Sequence, residues 1–124
     1  MVLADLHVDN IFLITGYTDM RKSVPGLVAI IVQQYQMKPD ERSAFLFCGK
    51  RADRMKIILW ENDGFLLLYK LPTGFRYQWP RNPQEAKKLT RAQYLRLLEG
   101  LLIDPRNSQL PKDLVERAKR SVEK

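Results

Sequence analysis

The 124-residue sequence predicts a single α+β domain, in which an antiparallel sheet of four to five strands has helices packed on one side. Short apolar runs in the middle of the chain are separated by Asn62-Asp63-Gly64 and Pro72-Thr73-Gly74, and turns of this kind are typical of β-hairpins. Residues 24–35 have the apolar spacing of an amphipathic helix, and a second helix follows a capping motif near residue 90. The length suits one domain with one hydrophobic core.

The first predicted elements are a strand and a helix. Residues 11–14 are apolar, with a β-branched isoleucine at each end, and the run stops at Gly16, as expected of a buried strand. Ser23 is the predicted N-cap of the helix, Pro25 is tolerated in its first turn, and Pro39 ends the helical region. The predicted buried face of this helix consists of Val24, Leu27, Val28, Ile31 and Tyr35.

The middle of the chain is predicted to form four strands, at residues 44–48, 54–61, 65–71 and 75–79. The pairing register decides which side chains share a face. With three-residue loops at both hairpin turns, Lys70 lies opposite both Lys56 and Arg76, so that a row of cations crosses the sheet beside Arg54. The other face is then wholly apolar. A two-residue loop at Asp63-Gly64 would avoid the pair of lysines but would place Lys70 on the apolar face.

The last part of the chain is predicted to be helical. Thr90 and Gln93 have the spacing of a capping box, and the leucines that follow supply a buried helix face. We assign residues 1–103 to the globular domain. Residues 104–124 are predicted to be a linker and a charged C-terminal helix or tail.

The positive charge of the chain is concentrated in one segment. Lys and Arg number 21 against 14 Asp and Glu, a net charge of +7. Residues 43–98 hold eleven basic and four acidic residues, which is also net +7. Concentrated positive charge favours a polyanionic partner, with nucleic acid before an anionic membrane surface. Like charges paired across strands destabilise a sheet, and a bound phosphate backbone would offset that repulsion. Alternatively, these long side chains only extend into water.

Several classes of protein do not fit the sequence. No apolar run approaches the roughly 20 residues needed to span a bilayer, and Asp5 and Asp9 interrupt the apolar N-terminus, unlike a signal peptide. A single cysteine, Cys48, and a single histidine, His7, leave no common cysteine or histidine metal site. We therefore expect a cytoplasmic protein without a cofactor or a membrane partner.

The carboxylates also give no sign of a catalytic metal site, which would need them to be clustered. Asp19 is explained by an Asx-type turn or a helix cap, Asp53 by pairing with Arg51 or Arg54, and Asp63 by its hairpin turn. Cys48 is predicted to be a small buried apolar residue. The sequence therefore indicates a binding module and not an enzyme.

A series of motifs resembles a known family over residues 11–102. The most specific parts are Thr-Asp-Met-Arg-Lys-Ser at residues 18–23 and Trp-x-x-Asp-Gly-Phe at 60–65, together with residues 51–56, 69–70 and 75–80. In this order they resemble the TnpB accessory proteins (Orf2-like) of the sixty-sixth family of bacterial insertion sequences. The resemblance implies a part in DNA transposition beside a separate, larger transposase that carries the catalytic carboxylates.

These observations give one leading hypothesis, a non-catalytic transposition accessory protein that binds DNA. Its predicted phosphate contacts are Arg54, Lys56, Lys70 and Arg76, with Lys50 and Arg51 on the adjoining loop, and Arg21 and Lys22 as additional contacts. Such contacts position a protein on DNA without reading its sequence. Trp60 and Trp79 are predicted to lie in the core. The alternatives are an adaptor that docks the transposase without binding DNA, a nuclease with an unrecognised site, and RNA in place of DNA.

Overall fold

The computed structural model describes residues 1–40 and 42–105, which form a five-stranded mixed sheet and two α-helices. The strands are β1 Asn10–Ile14, β2 Ser43–Cys48, β3 Met55–Glu61, β4 Gly64–Lys70 and β5 Ala86–Leu89. Their order in the sheet is β4-β3-β2-β1-β5. β1 and β2 run parallel, and all other neighbours run antiparallel. The predicted α+β class and number of strands are confirmed.

Two helices and two short helical segments complete the described structure. Helix α1 covers Val24–Ala29 and continues into a π-helical segment, Ile30–Gln34, whereas α2 covers Arg91–Leu98 and a 3-10 turn covers Leu3–Asp5. The predicted capping box at α2 is confirmed, since Thr90 and Gln93 each accept the backbone N–H of the other. Within the described residues, no helix has the length and apolar character needed to cross a membrane.

Both faces of the sheet are covered, and each helix packs on a different face. Leu27 and Ile31 of the α1 region pack with Phe45 on the first face. Tyr94 and Leu97 of α2 pack on the second face, as part of a separate core cluster. The prediction that the helices lie on one side is therefore wrong. The cause is that β2 is buried along its whole length and β3 along most of it, so the central strands need cover on both faces.

The predicted register of the β3–β4 hairpin is also wrong. Gly64 lies opposite Glu61, which leaves a two-residue loop at positions 62 and 63 in place of the predicted three-residue loop. Lys56 consequently lies opposite Tyr69, and Lys70 lies opposite Met55. Because side chains alternate between faces, the two lysines are on opposite faces of the sheet. The prediction assumed one apolar face, but both faces of β3 are buried, so separating charge from core could not identify the register.

Residues 75–79 do not form the predicted strand. They cross the second face of the sheet, where Tyr77 and Trp79 are buried. The backbone N–H of Tyr77 donates to the carbonyl of Ala52, and the indole N–H of Trp79 donates to the carbonyl of Ile14, each over 2.9 Å. The predicted core position of Trp79 is confirmed. The sheet ends instead at β5, which the sequence reasoning missed. Most of the predicted C-terminal segment, residues 106–124, lies outside the described residues.

Candidate nucleic-acid interface

One end of the sheet collects most of the basic residues. Because β1 and β2 are parallel, the loops that follow them meet at the same end. β3 begins there and β4 ends there, since Met55 lies opposite Cys48 on one side and Lys70 on the other. Residues 71–85 leave and rejoin the sheet at this end. We call segments 15–23, 49–56 and 70–85 the basic end, and they hold nine basic and three acidic residues, net +6 of the chain's +7.

The other end of the sheet has the opposite character. Asp9 and Asp40 lie beside the starts of β1 and β2, and Glu61 and Asp63 lie at the β3–β4 turn. Arg42 pairs there with Asp9, with 2.6 Å between Nε and the carboxylate. We call these four acidic residues the acidic end. The sheet is therefore electrically polar along the direction of its strands.

The loop between β1 and α1 contains an Asx turn at Asp19, which is one of the two roles predicted for this residue. The Asp19 carboxylate accepts the backbone N–H of Arg21 over 2.9 Å and the Arg21 guanidinium over 2.8 Å. The hydrogen bonds from Arg21 hold the pKa of Asp19 well below its usual range. The Arg21 side chain is nevertheless 92% exposed, and Lys22 beside it is exposed as well. Both predicted site residues therefore lie at the surface of the basic end.

Lys56 is at the basic end but is engaged inside the protein. The residue is only 7% exposed. Its ammonium donates to the carbonyl oxygens of Met20 and Lys22, over 2.7 and 2.8 Å, and lies 5.3 Å from the centre of the Tyr69 ring. These contacts attach the β1–α1 loop to the sheet. The predicted row of three neighbouring cations on one face is therefore not formed, because Lys56 points inward and Lys70 projects from the other face.

Arg81 joins the β1–α1 loop to the β2–β3 loop. The sequence reasoning did not identify this residue. Its guanidinium donates to the carbonyl of Gly16 over 2.6 Å, and to the carbonyls of Gly49 and Lys50 over 3.2 Å. One side chain thus connects the loop after β1 with the loop after β2. The only local signal is its position between Pro80 and Pro83, which does not indicate contacts with residues more than 30 positions away.

The loop between β2 and β3 presents the remaining cations. Arg54 pairs with Asp53 over 3.2 Å, which confirms one of the two predicted partners of this carboxylate and lowers the pKa of Asp53. Arg54 also donates to the Tyr69 hydroxyl over 3.0 Å. Lys50 and Arg51 are exposed, and the Lys50 ammonium lies 6.0 Å from the centre of the Tyr17 ring.

A surface cleft of about 510 Å³ lies between the β1–α1 loop and the β2–β3 loop. Its basic lining residues are Lys50, Arg51 and Arg54, and the side chain of Tyr17 at its rim is 64% exposed. The cleft therefore combines cations with an accessible aromatic ring. Such a surface can contact phosphates and also stack against a base.

Lys70 and Arg76 extend the basic end onto the second face. Lys70 closes β4, and Arg76 precedes Tyr77, which is hydrogen-bonded to the 49–54 loop. Both side chains are exposed. In the described part of the chain, no carboxylate lies within salt-bridge distance of Lys22, Arg51, Lys70 or Arg76. The structure thus brings all eight predicted site residues to one end, with Lys56 engaged internally.

Cysteine, histidine, aspartate and glutamate are side chains that can act as nucleophiles or metal ligands. Cys48 is fully buried, as predicted, and its thiol contacts the carbonyl of Arg54 over 3.2 Å. Burial raises the pKa of this thiol to about 12. Within residues 1–40 and 42–105, no three His, Cys, Asp or Glu side chains are grouped so that they could hold a metal ion.

The chain is similar to known proteins over most of its length. The family model described as IS66 Orf2-like protein matches residues 9–108. Uncharacterized protein y4hO of Sinorhizobium fredii (strain NBRC 101917 / NGR234) is 30% identical over 92 residues, which cover 74% of this chain and 80% of that protein. Uncharacterized protein y4jC of the same strain is 28% identical over 92 residues, which cover 74% and 79%. No solved structure matches the chain.

Proposed function

The chain belongs to the IS66 Orf2-like family, and we propose that it performs its accessory role in insertion-sequence transposition by binding DNA at the basic end. The family supports the transposition role. The single observation that carries DNA binding is the gathering of net +6 charge, from three separate segments, at one end of the sheet.

The exposed cations at this end suit a phosphate backbone. Lys50, Arg51, Lys70 and Arg76 are exposed, and Lys22 adds a fifth cation beside them. Because they lie on both faces of the same end, a duplex would contact the end of the sheet, and not one of its faces. Phosphate contacts of this kind position a protein on DNA and carry no sequence information directly.

The other basic residues at this end already form hydrogen bonds or ion pairs within the protein. Lys56 and Arg81 hold the two loops through backbone carbonyls, while Arg21 and Arg54 each share their charge with a neighbouring aspartate. A rigid frame reduces the entropy that is lost when the exposed cations become ordered on a ligand. We assign phosphate contact mainly to the exposed cations.

We also propose that the role is non-catalytic, with the chemistry of transposition left to a separate transposase. Two carboxylates of this end, and the cysteine thiol next to it at the end of β2, are already engaged or inaccessible. Asp19 and Asp53 are paired with arginines, and the Cys48 thiol is buried with a raised pKa.

Binding of the 124-residue chain to a labelled DNA duplex, measured by fluorescence anisotropy, tests this function. The Lys50→Ala, Arg51→Ala double variant should weaken binding at least tenfold, because two phosphate contacts are lost. A Lys38→Ala variant is the matched control. Its side chain is exposed before the start of β2, near the acidic end, and its loss should leave binding within about twofold.

Two results would contradict the proposal. Equal affinity of the double variant and the native chain would remove the basic end from the interface. A native chain that retains the transposase of its own element in a pull-down, without shifting DNA, would favour the adaptor in its place. A single-stranded RNA probe of equal length, measured in parallel, separates DNA from RNA binding.

A further inference from the structure

β4 is an edge strand with an unusually apolar sequence. It pairs with β3 on one side, and no other strand of the described residues lies on its free side. Residues 65–69 are all apolar or aromatic, and Phe65, Leu66 and Tyr69 are each more than a third exposed. Edge strands are usually protected by a central charge, a proline or a bulge. In β4 the only charge is Lys70 at its end, so the edge is open to pairing with another strand.

We propose that β4 pairs antiparallel with β4 of a second copy of this chain, around a two-fold axis at Leu67, to form a ten-stranded sheet. In this register Phe65 lies opposite the partner's Tyr69, and Leu66 lies opposite the partner's Leu68. Every pair between positions 65 and 69 is therefore apolar or aromatic. A two-fold interface uses the same residues on both copies, and β4 is self-complementary in this sense.

The charge distribution favours this orientation. Antiparallel pairing places Lys70 opposite the partner's Gly64, next to Asp63 and Glu61 of the acidic end. The basic end of each copy then lies beside the acidic end of the other. Parallel pairing would bring the two basic ends together, and like charges placed opposite each other destabilise a sheet.

The size of the contact indicates a reversible dimer. Stable interfaces bury about 1,200–2,000 Å² in total, and one pair of seven-residue strands contributes only part of such an area. We therefore expect a monomer–dimer equilibrium that depends on protein concentration. The proposal does not depend on DNA binding, because the β4 edge carries none of the exposed cations except Lys70.

Sedimentation velocity of the 124-residue chain without DNA is the first test. We expect the mean mass to rise from one copy to two with concentration. Leu66→Lys should raise the dissociation constant at least tenfold, because it places an ammonium opposite the partner's Leu68. Circular dichroism and thermal melting of this variant establish that it is folded.

Cysteine cross-linking tests the register. A Cβ at Gly64 meets nothing within 4 Å, and Lys70 is exposed, so both sites accept cysteine, while the native Cys48 is buried. In a mixture of Gly64→Cys and Lys70→Cys chains, a short bismaleimide should link the two types. Gly64→Cys alone should not cross-link, because its two copies would lie about 20 Å apart.

The matched control is a mixture of Val32→Cys and Lys70→Cys chains, since Val32 is exposed on the π-helical segment and is not part of the β4 edge. This mixture should give no linked species. A chain that stays monomeric at all concentrations overturns the proposal. So does a dimer that fails to cross-link in the Gly64/Lys70 mixture, which would place the interface elsewhere.

Discussion

The Lys56 ammonium lies 2.8 Å from the backbone carbonyl oxygen of Lys22, which joins the start of β3 to the loop that precedes α1. A second bond, to the carbonyl of Met20, is 2.7 Å long. A cation that was predicted to contact phosphate is thus a structural residue, and its charge is satisfied within the protein.

Replacement of Lys56 by methionine should therefore affect folding more than charge. It keeps much of the apolar stem but leaves both carbonyls without their donor. Hydrogen bonds to charged groups contribute about 1.5–3 kcal/mol each, so we expect the free energy of unfolding, measured in urea, to fall by at least the contribution of one such bond. Lys70→Met is the control and should change stability by less than about 0.5 kcal/mol. Equal stability of both variants would show that the carbonyl contacts contribute little.

Arg81→Ala should loosen both loops of the basic end together. The Thr18 amide donates to the carbonyl of Cys48 at the end of β2, and the Ala52 amide donates to the carbonyl of Gly49. Both amides should exchange with solvent about tenfold faster or more. Hydrogen exchange followed by NMR measures this directly. Arg81→Lys should not restore protection, because one ammonium cannot span the two loops as the planar guanidinium does. Arg76→Ala is the control, and unchanged exchange in Arg81→Ala would refute the role of Arg81.

The salt dependence of DNA binding should distinguish surface cations from internal ones. With four to six phosphates neutralised, the logarithm of the binding constant should fall against the logarithm of salt concentration with a slope of about −4 to −5. Arg51→Ala should reduce the magnitude of the slope by about 1. Lys56→Met should leave the slope unchanged even where it weakens binding. If Lys56→Met reduced the magnitude of the slope and Arg51→Ala did not, Lys56 and not Arg51 would be the residue that contacts phosphate.

Stability should decrease in alkaline solution. Burial raises the pKa of Cys48 from an ordinary value of 9.0 to about 12, and those of Tyr77 and Tyr94 from 10.0 to about 12. Between these values the unfolded chain releases protons that the folded chain retains, so the free energy of unfolding falls as pH rises. We expect a plateau below about pH 9 and a decline above it in urea titrations. Cys48→Ala should delay the onset of the decline by about one pH unit.

Short-range features of this fold are predictable from the sequence. The Thr90–Gln93 capping box and the turn at Asp19 depend on neighbours two or three positions apart, and both are present as expected. The apolar face shared by α1 and the π-helical segment after it also follows from the spacing, with Leu27 and Ile31 buried. In each case the interaction is contained in a single turn of backbone or a single helix.

Long-range features are not predictable in the same way. The register of β4 depends on how both faces of β3 are covered, which is decided by α1 and by Tyr77 and Trp79 from distant parts of the chain. The concentration of charge in residues 43–98 indicates a basic surface region. The location of this region depends on the parallel pairing of β1 and β2, which brings the loops after both strands to one end of the sheet. Sequence reasoning placed the cations on a face, whereas the topology places them at an end.

Arg81 holds its two loops only through main-chain oxygens, and every amino acid offers the same carbonyl. Replacing Tyr17, Lys50 or Arg51 would therefore alter the chemistry presented to a ligand and leave the conformation of the loops in place. This separation of scaffold from contact residues would let related mobile elements diverge in what their accessory proteins bind. It also makes these three positions suitable for randomisation in a selection for new binding preferences.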